Sequence, residues 1–314
     1  MKIVIPGGTG QIGQLLARHL IAAGHDLVIL GRHAAGAGTG RFVRWDGRTA
    51  GNWIRELDGS DAVIHLAGRS VNCRYNARNR AEILDSRIES TRAVGRALRQ
   101  CQRPPRVWLQ ASTATLYAHR YDAPNDEATG LIGGSEPDTL ESWNFSIRVA
   151  QAWEQAAIES APPSARLVLL RSAMTMSPDP GGVFDVLLTL MRRGLGGTNG
   201  DGRQYVSWIH ERDFCRAIDR LLLNPWSGPV NICSPNPIPN ADFMRILRRA
   251  AGMRIGLPAT RWMLEIGAWF LRTETELILK SRRVVPGRLL ESGFRFDFPD
   301  WPTAAADLVA RSPD

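Results

Sequence analysis

Apolar runs of strand length recur through the first two thirds of the chain, at 2–6, 26–30, 62–66, 107–110 and 166–171. Between them, at 11–23, 79–100 and 143–160, lie stretches with helix-forming composition and apolar residues at helical spacing. Runs with little polar alternation suit strands buried on both faces, and strands that alternate with helices predict a parallel sheet covered on both sides. A further run at 230–233 predicts that the sheet resumes after an interruption. Gly and Pro gather at 177–182 and 194–202, which predicts loops lying over a site. Beyond Pro235 the pattern turns to helices punctuated by proline, at 240–251 and 258–280, and then to a short tail bearing Phe294, Phe296 and Phe298. That stretch predicts a smaller lobe packed beside the sheet. No internal repeat or low-complexity linker sets it apart.

The 314 residues are 44% hydrophobic, which supports a large core in one large or two unequal domains and excludes a disordered chain. The most apolar carboxy-terminal stretch, 262–271, carries Glu265 between Arg261 and Arg272 and falls short of a membrane span, so no membrane partner is expected. Met1 leads directly into a strand and a glycine turn without a charged leader, which predicts a cytoplasmic protein. Cys73, Cys101, Cys215 and Cys233 lack Cys-x-x-Cys spacing and a nearby histidine pair, which argues against structural disulfides and against a metal site. The net charge of +8 invites a polyanionic partner, but the arginines are spread along the whole length instead of forming a stripe, so nucleic acid is not expected. Lys2 and Lys280 are the only lysines.

The strand at 2–6 is followed by Gly7-Gly8-Thr9-Gly10-Gln11-Ile12-Gly13 and then by Leu15, Leu16 and Leu20. Strand, glycine turn and helix stand here in the order a dinucleotide site requires. Glycines permit the tight turn and a close approach of backbone to pyrophosphate, and the helix start offers open N–H groups with a partial positive charge. The fold class is therefore α/β, a Rossmann-type doubly wound parallel sheet with a smaller, mostly helical carboxy-terminal substrate lobe. We place the dinucleotide domain at 1–176, its sheet completed by about 206–234, and the substrate lobe at 177–205 and 235–314. At the end of the second strand, where an NAD site would carry an acid for the ribose hydroxyls, stand Gly31 and Arg32, which favours NADP(H). Asp46 either faces the adenine or caps the next turn. Leu66, Ala67 and Gly68 bring small residues and backbone toward the nicotinamide ribose, or else form an ordinary left-handed turn.

These residues resemble the extended short-chain dehydrogenase/reductases, and more closely their atypical, epimerase-like branch. The resemblance spans essentially the whole chain. It rests on the glycine loop, Leu66-Ala67-Gly68, Ser86-Arg87-Ile88, Trp153-Glu154, Gly194-Leu195-Gly196-Gly197 with Gly202-Arg203-Gln204, and Trp208-Ile209-His210. The segment Val285-Pro286-x-Arg288-Leu289 with Gly293-Phe294 resembles the small carboxy-terminal domain of that branch. The resemblance implies that Gly31 and Arg32 hold the adenosine phosphate, that Leu66 and Ala67 line the ribose, that Glu82 and Arg87 reach the cofactor, and that Thr175 sits near the nicotinamide. Glu82 and Arg87 would otherwise be a surface ion pair, for which a five-residue separation is poor.

Classical members of that superfamily use a Tyr, lowered in pKa by a Lys four residues later, with a Ser or Thr on the substrate carbonyl, a pair that epimerase-like relatives of the atypical branch tend to lack. Here no Tyr stands four residues before either lysine, and Ser146 and Ala150 fall where the pair would be. The Ser or Thr position survives as Thr113, whose hydroxyl could instead satisfy local backbone. Tyr117 is the replacement proton donor we expect, with a pKa near 10 that makes it a feeble base. Ala118 removes a second tyrosine after it. His210 titrates in the useful range, although in this fold its segment more often pins a strand against the lobe. Arg203 and Gln204 could receive an anionic or polyhydroxylated substrate. Trp108, Trp143 and Trp153 read as core.

Two functions follow. One is an NADPH-dependent oxidoreductase or epimerase-like enzyme acting on a small carbonyl, enone, imine or sugar-like substrate, as a monomer or homodimer. The other is a regulator or scaffold that keeps the dinucleotide without turnover.

Overall fold

The computed structural model describes residues 1–34, 40–136, 140–259 and 279–313. The helix expected at 258–280 and the apolar stretch at 262–271 lie almost wholly outside these residues. The chain opens with β1 (Lys2–Pro6), α1 (Gln11–Ala22), β2 (Asp26–Gly31), β3 (Arg41–Arg44), α2 (Ile54–Leu57) and β4 (Ala62–His65). It continues through α3 (Ala77–Gln100), β5 (Val107–Thr113), α4 (Glu141–Ser160), β6 (Arg166–Ser172) and β7 (Met174–Met176). Then come α5 (Val183–Arg192), β8 (Tyr205–Val206), β9 (Trp208–His210), α6 (Glu211–Leu223), β10 (Gly228–Ile232), β11 (Ile238–Pro239) and α7 (Asn240–Ala250). Two last helices follow 279, α8 (Gly287–Glu291) and α9 (Trp301–Arg311).

Seven strands form one parallel sheet in the order β10-β6-β5-β4-β1-β2-β3. Its alternation decides which helices cover which face. Ile3 and Ile5 point to one side, where Leu16 and Leu20 of α1 and Phe214, Ile218 and Leu221 of α6 pack on them. Val4, Val28 and Val63 point to the other, against Leu57 of α2 and Val94 and Leu98 of α3. Burial of apolar side chains on both faces, each contributing roughly 1.5–3 kcal/mol, holds the sheet between its helix layers.

The chain starts in the middle of the sheet, builds outward through β2 and β3, and then crosses back to β4 on the other side of β1. Between the carboxy ends of β1 and β4 the strand order therefore reverses, and loops leaving in opposite directions open a crevice. The turns after β1, β2, β4, β5 and β6 all lie along this one edge.

A separate apolar cluster joins α5, α7 and α9 through Phe184, Leu188, Phe243, Leu247, Trp301 and Leu308. Trp301 stacks on Phe243 with ring centroids 4.1 Å apart, and its Nε1 donates to the Phe243 carbonyl at 3.0 Å. The chain does not end in the short tail expected at Phe294, Phe296 and Phe298 but continues into the helix α9. Asp300 caps it by accepting the Thr303 N–H, and Pro302 occupies its first turn. β3 escapes the hydrophobic pattern because it is an edge strand, partly exposed, with arginines at both ends.

Candidate functional site

Gly7 stands at φ +83°, and a Cβ there would lie 2.5 Å from the Ala67 nitrogen and 2.6 Å from its Cα. The turns after β1 and β4 are thus in backbone contact, and only glycine allows it. Gly10, the cap of α1, differs. Its φ of −75° and ψ of 169° suit any residue, and a Cβ would meet only the Gly7 carbonyl at an ordinary 3.5 Å. Among the described residues, nothing demands glycine at this position. α1 has no side-chain cap, so its first amides, from Gln11, Ile12 and Gly13, remain directed into the crevice by helix geometry. Gly31 packs its α-carbon against the Thr9 side chain, and Arg32 beside it is exposed. Asp46 caps its own turn, accepting the Arg48 and Thr49 N–H groups at 2.9 Å, which holds its carboxyl below the usual range.

After β4, the Leu66 N–H donates to the Pro6 carbonyl at 2.8 Å. Gly68 is not left-handed, so the ordinary turn considered above does not form. Its α-carbon faces Arg87, whose guanidinium donates to the Arg69 and Ile83 carbonyls at 3.0 Å and lies over the Trp153 ring at 4.9 Å. Burial lowers the Arg87 pKa to about 10. Arg87 therefore supports the 66–69 turn from beneath. Glu82 does not pair with Arg87; its carboxylate takes Arg69 and Arg78.

Thr113 ends β5 opposite Ser172 of β6, and Thr175, buried on β7, follows three residues later on the same edge. The Thr113 hydroxyl accepts the Thr115 N–H at 3.2 Å and lies 3.1 Å from the Thr115 hydroxyl. Tyr117, the expected proton donor, does not turn toward this edge. It is 2% exposed, its hydroxyl donates to Asn231 Oδ1 at 2.9 Å, and it accepts from Arg171 Nη1 at 3.0 Å. Burial raises its pKa despite the guanidinium beside it. Arg171 in turn grips both oxygens of Glu154 at 2.9 Å, and Glu154 accepts the Ser112 hydroxyl at 2.6 Å. The Trp153-Glu154 motif thus marks a buried network that ties α4 to β5, β6 and β10. Ala150, where a lysine would stand, packs with Leu116 and Ile147.

His210 is wholly buried at the end of β9, paired with Met176 of β7. Its Nδ1 accepts the Arg212 N–H at 3.1 Å as the cap of α6, its Nε2 faces Asp307 at 3.0 Å, and Phe298 stacks on its ring at 3.8 Å. Burial lowers its pKa. It joins α6 to α9, and among the described residues its side-chain partners do not include Thr113. Gln204 is buried and donates to the Asn199 carbonyl, whereas Arg203 is exposed over the Tyr121 ring at 5.8 Å. The Thr113 region is reached instead by residues outside the sequence reading. Lys280 Nζ donates to the Thr115 carbonyl at 2.7 Å and Arg282 Nε to the Thr115 hydroxyl at 3.2 Å. The scarcity of lysine was the one signal that could have drawn attention to Lys280. A groove of about 560 Å³ beside Glu154 and Arg171, lined also by Leu116, Arg148, Gln151 and Ile158, contains none of the expected site residues.

Comparison with known proteins decides the family. The model of the NAD dependent epimerase/dehydratase family matches residues 3–233, most of the chain. The chain belongs to that family. A second model, described as a domain of unknown function (DUF1731), matches residues 259–308. The human epimerase family protein SDR39U1 is 30% identical over 99% of this chain and 100% of its own length. The epimerase family protein YfhF of Bacillus subtilis is also 30% identical, over 99% of this chain and 98% of its own. A crystal structure of human SDR39U1 with NADPH superposes with a TM-score of 0.85 at 28% identity, covering 99% of this chain and 100% of that one. A nucleoside-diphosphate sugar epimerase from Corynebacterium glutamicum gives 0.76 at 26% identity, over 99% of this chain and 59% of that one. As a member of the family the chain is an epimerase-like protein on an oxidoreductase scaffold. Among the described residues no helix is long and apolar enough to cross a membrane.

Proposed function

We propose that this chain binds NADP(H) along the edge formed by the glycine loop, Arg32 and the 66–68 turn, and acts as an oxidoreductase or epimerase-like enzyme on a small carbonyl-type substrate. Gly10 carries the reading. A position that accepts any residue sterically, yet holds glycine at the mouth of an uncapped helix, is explained by a ligand backbone passing where a Cβ would project. The human relative solved with NADPH supports the same cofactor. Gln11, Ile12 and Gly13 would hold the pyrophosphate through their amides, Arg32 the 2′-phosphate, and Leu66 and Ala67 the ribose side. Bound there, the dinucleotide supplies or accepts a hydride.

What the chain itself contributes is a hydroxyl. Thr113 stands at the strand end next to the crevice, and Thr115, held by Lys280 and Arg282, fixes its geometry. We assign to Thr113 the hydrogen bond to the substrate oxygen, and to residues 177–205 and 235–314 the shaping of the substrate side. Tyr117 and His210 are left out, since both are buried and committed to partners.

The test measures NADPH affinity by titration calorimetry. Gly10→Ala is expected to lower it about tenfold or more with an unchanged melting temperature, and Arg32→Ala to lower NADPH but not NADH affinity about tenfold. Undiminished NADPH affinity in Gly10→Ala sinks the proposal. The buried commitment of Tyr117 and His210 favours a second reading, a dinucleotide-binding regulator. Tight NADPH binding without oxidation of the cofactor across a panel of aldehydes, enones, imines and sugar nucleotides would select it.

A further inference from the structure

We propose that this chain docks on an anionic lipid surface through the ends of α5 and α7. The two helices end alike. α5 closes on Arg192 with Arg193 as its cap, and α7 carries Arg248 and Arg249 in its last turn. A glycine at positive φ follows each, Gly194 at +77° and Gly252 at +69°. The same pair of bonds stops each helix: the Gly194 and Leu195 N–H groups reach the Met191 and Leu190 carbonyls, both at 2.9 Å, and those of Gly252 and Met253 reach Arg249 at 3.1 Å and Arg248 at 3.0 Å. The chain leaving one helix then binds the chain leaving the other. The Leu257 N–H donates to the Gly194 carbonyl at 2.8 Å, and the Gly197 N–H to the Leu257 carbonyl at 3.1 Å. Two segments remote in the chain thus form one platform.

Bare aliphatic side chains stand on this platform. Ile255 is 70% exposed, Leu257 58% and Leu195 49%. An apolar residue just past a helix-stopping glycine ordinarily folds back on the last turn, so an exposed Leu195 is not what helix termination asks for. The charge around these side chains has one sign. Arg193, Arg249 and Arg254 are exposed, and among the described residues none of the three meets a carboxylate. The acids of the two helices lie in their first turns, where Asp185 accepts the Gly181 N–H at 2.8 Å and Asp242 takes Arg245 at 2.7 Å. Arginines in a last turn offset the negative end of a helix, which accounts for a cation at each. It does not account for uncovered Leu and Ile among them. Aliphatic tips ringed by arginine suit a membrane interface, where the tips enter the headgroup boundary and the guanidinium groups meet lipid phosphates. A protein partner draws its binding energy largely from aromatic anchors seated in pockets, whereas the apolar groups here are aliphatic and stand on turns. Such a platform lies against a bilayer and needs no helix that crosses one.

The experiment sediments the full chain with vesicles of phosphatidylcholine alone and with vesicles that contain about one third phosphatidylserine. Binding is expected to the mixed vesicles and to weaken as salt is raised. It should fall about tenfold or more in the double variant Ile255→Ser with Leu257→Ser, and likewise in the triple variant Arg193→Gln, Arg249→Gln and Arg254→Gln. Leu257→Trp, which adds an interfacial anchor, should tighten it. Leu223→Ser removes a leucine that is 81% exposed on α6 and should leave binding unchanged. Arg55→Gln, Arg96→Gln and Arg103→Gln together remove the same charge from exposed positions elsewhere and should cost less than about twofold. Every replaced side chain is exposed, and a melting temperature within about 2 °C of the parent shows each variant to be folded. No sedimentation with the mixed vesicles, equal binding to phosphatidylcholine alone, undiminished binding in the serine double variant, or an equal loss in Leu223→Ser would overturn the proposal. So would a dimer in sedimentation velocity that the serine double variant dissolves, since a second copy would then cover the platform.

Discussion

The two ends of the crevice are built on opposite principles. At the glycine-loop end, residues 2–13 form a strand, turn and helix start from neighbours in sequence, and the open amides arise from helix geometry itself. At the Thr113 end, Thr113 leans on nearby Thr115, but the groups around that pair are placed by residues from far along the chain. Tyr117 meets Asn231 across 114 positions, Arg171 meets Tyr117 across 54, and Thr115 is held by Lys280 across 165. The first end keeps its donors open by leaving them uncapped. The second spends its polar groups on one another, so that hydroxyls suited to catalysis by residue type become parts of a buried network.

The comparison predicts that damage at the Thr113 end is paid mainly in stability. Glu154→Gln leaves the Arg171 guanidinium buried without its counter-charge and should destabilise the protein by about 3–5 kcal/mol, read from urea unfolding. A loss below about 1 kcal/mol would show the network to be peripheral. Gly7→Ala tests the other end. Positive φ and contact with the Ala67 backbone should cost about 3 kcal/mol and NADPH affinity together, unlike Gly10→Ala, which should separate the two.

His65 links the ends, since its Nδ1 lies 3.0 Å from Gln110 Oε1 while its side chain is fully buried. Burial lowers its pKa to about 4. A histidine depressed below its unfolded value of about 6.5 stabilises the fold fully above that pH and loses the contribution as pH falls toward the folded value. Unfolding free energy should therefore drop by about 3 kcal/mol between about pH 6.5 and 4, and the His65→Leu variant should show a flatter profile over that window. An unchanged slope in the variant would assign the acid sensitivity to other groups. The smallest effect belongs to Tyr117→Phe, expected to cost about 1–2 kcal/mol of stability with NADPH affinity intact. A selective loss of turnover at full stability would return Tyr117 to the chemistry.

Periodic features were legible to the extent that they were local. The strands at 2–6, 26–31 and 166–172 and the helices at 11–22 and 141–160 lie where the pattern puts them, because burial on both faces leaves an unbroken apolar run and an amphipathic helix leaves a spaced one. β7, β8, β9 and β11 hold two or three residues each, too few for any period to register. α9 is a different matter, since Asp300 and Pro302 are helix-start signals carried by the sequence itself.

The amino-acid sequence alone determined the parallel sheet, the glycine turn and the arginine at the second strand end, because a turn's backbone demands and a strand's burial are set by residues within a few positions. Only the tertiary structure decided what Tyr117, His210 and Lys280 do. The role of a hydroxyl, imidazole or cation depends on its desolvation and its partners, and here those partners arrive from elements as much as 165 residues away.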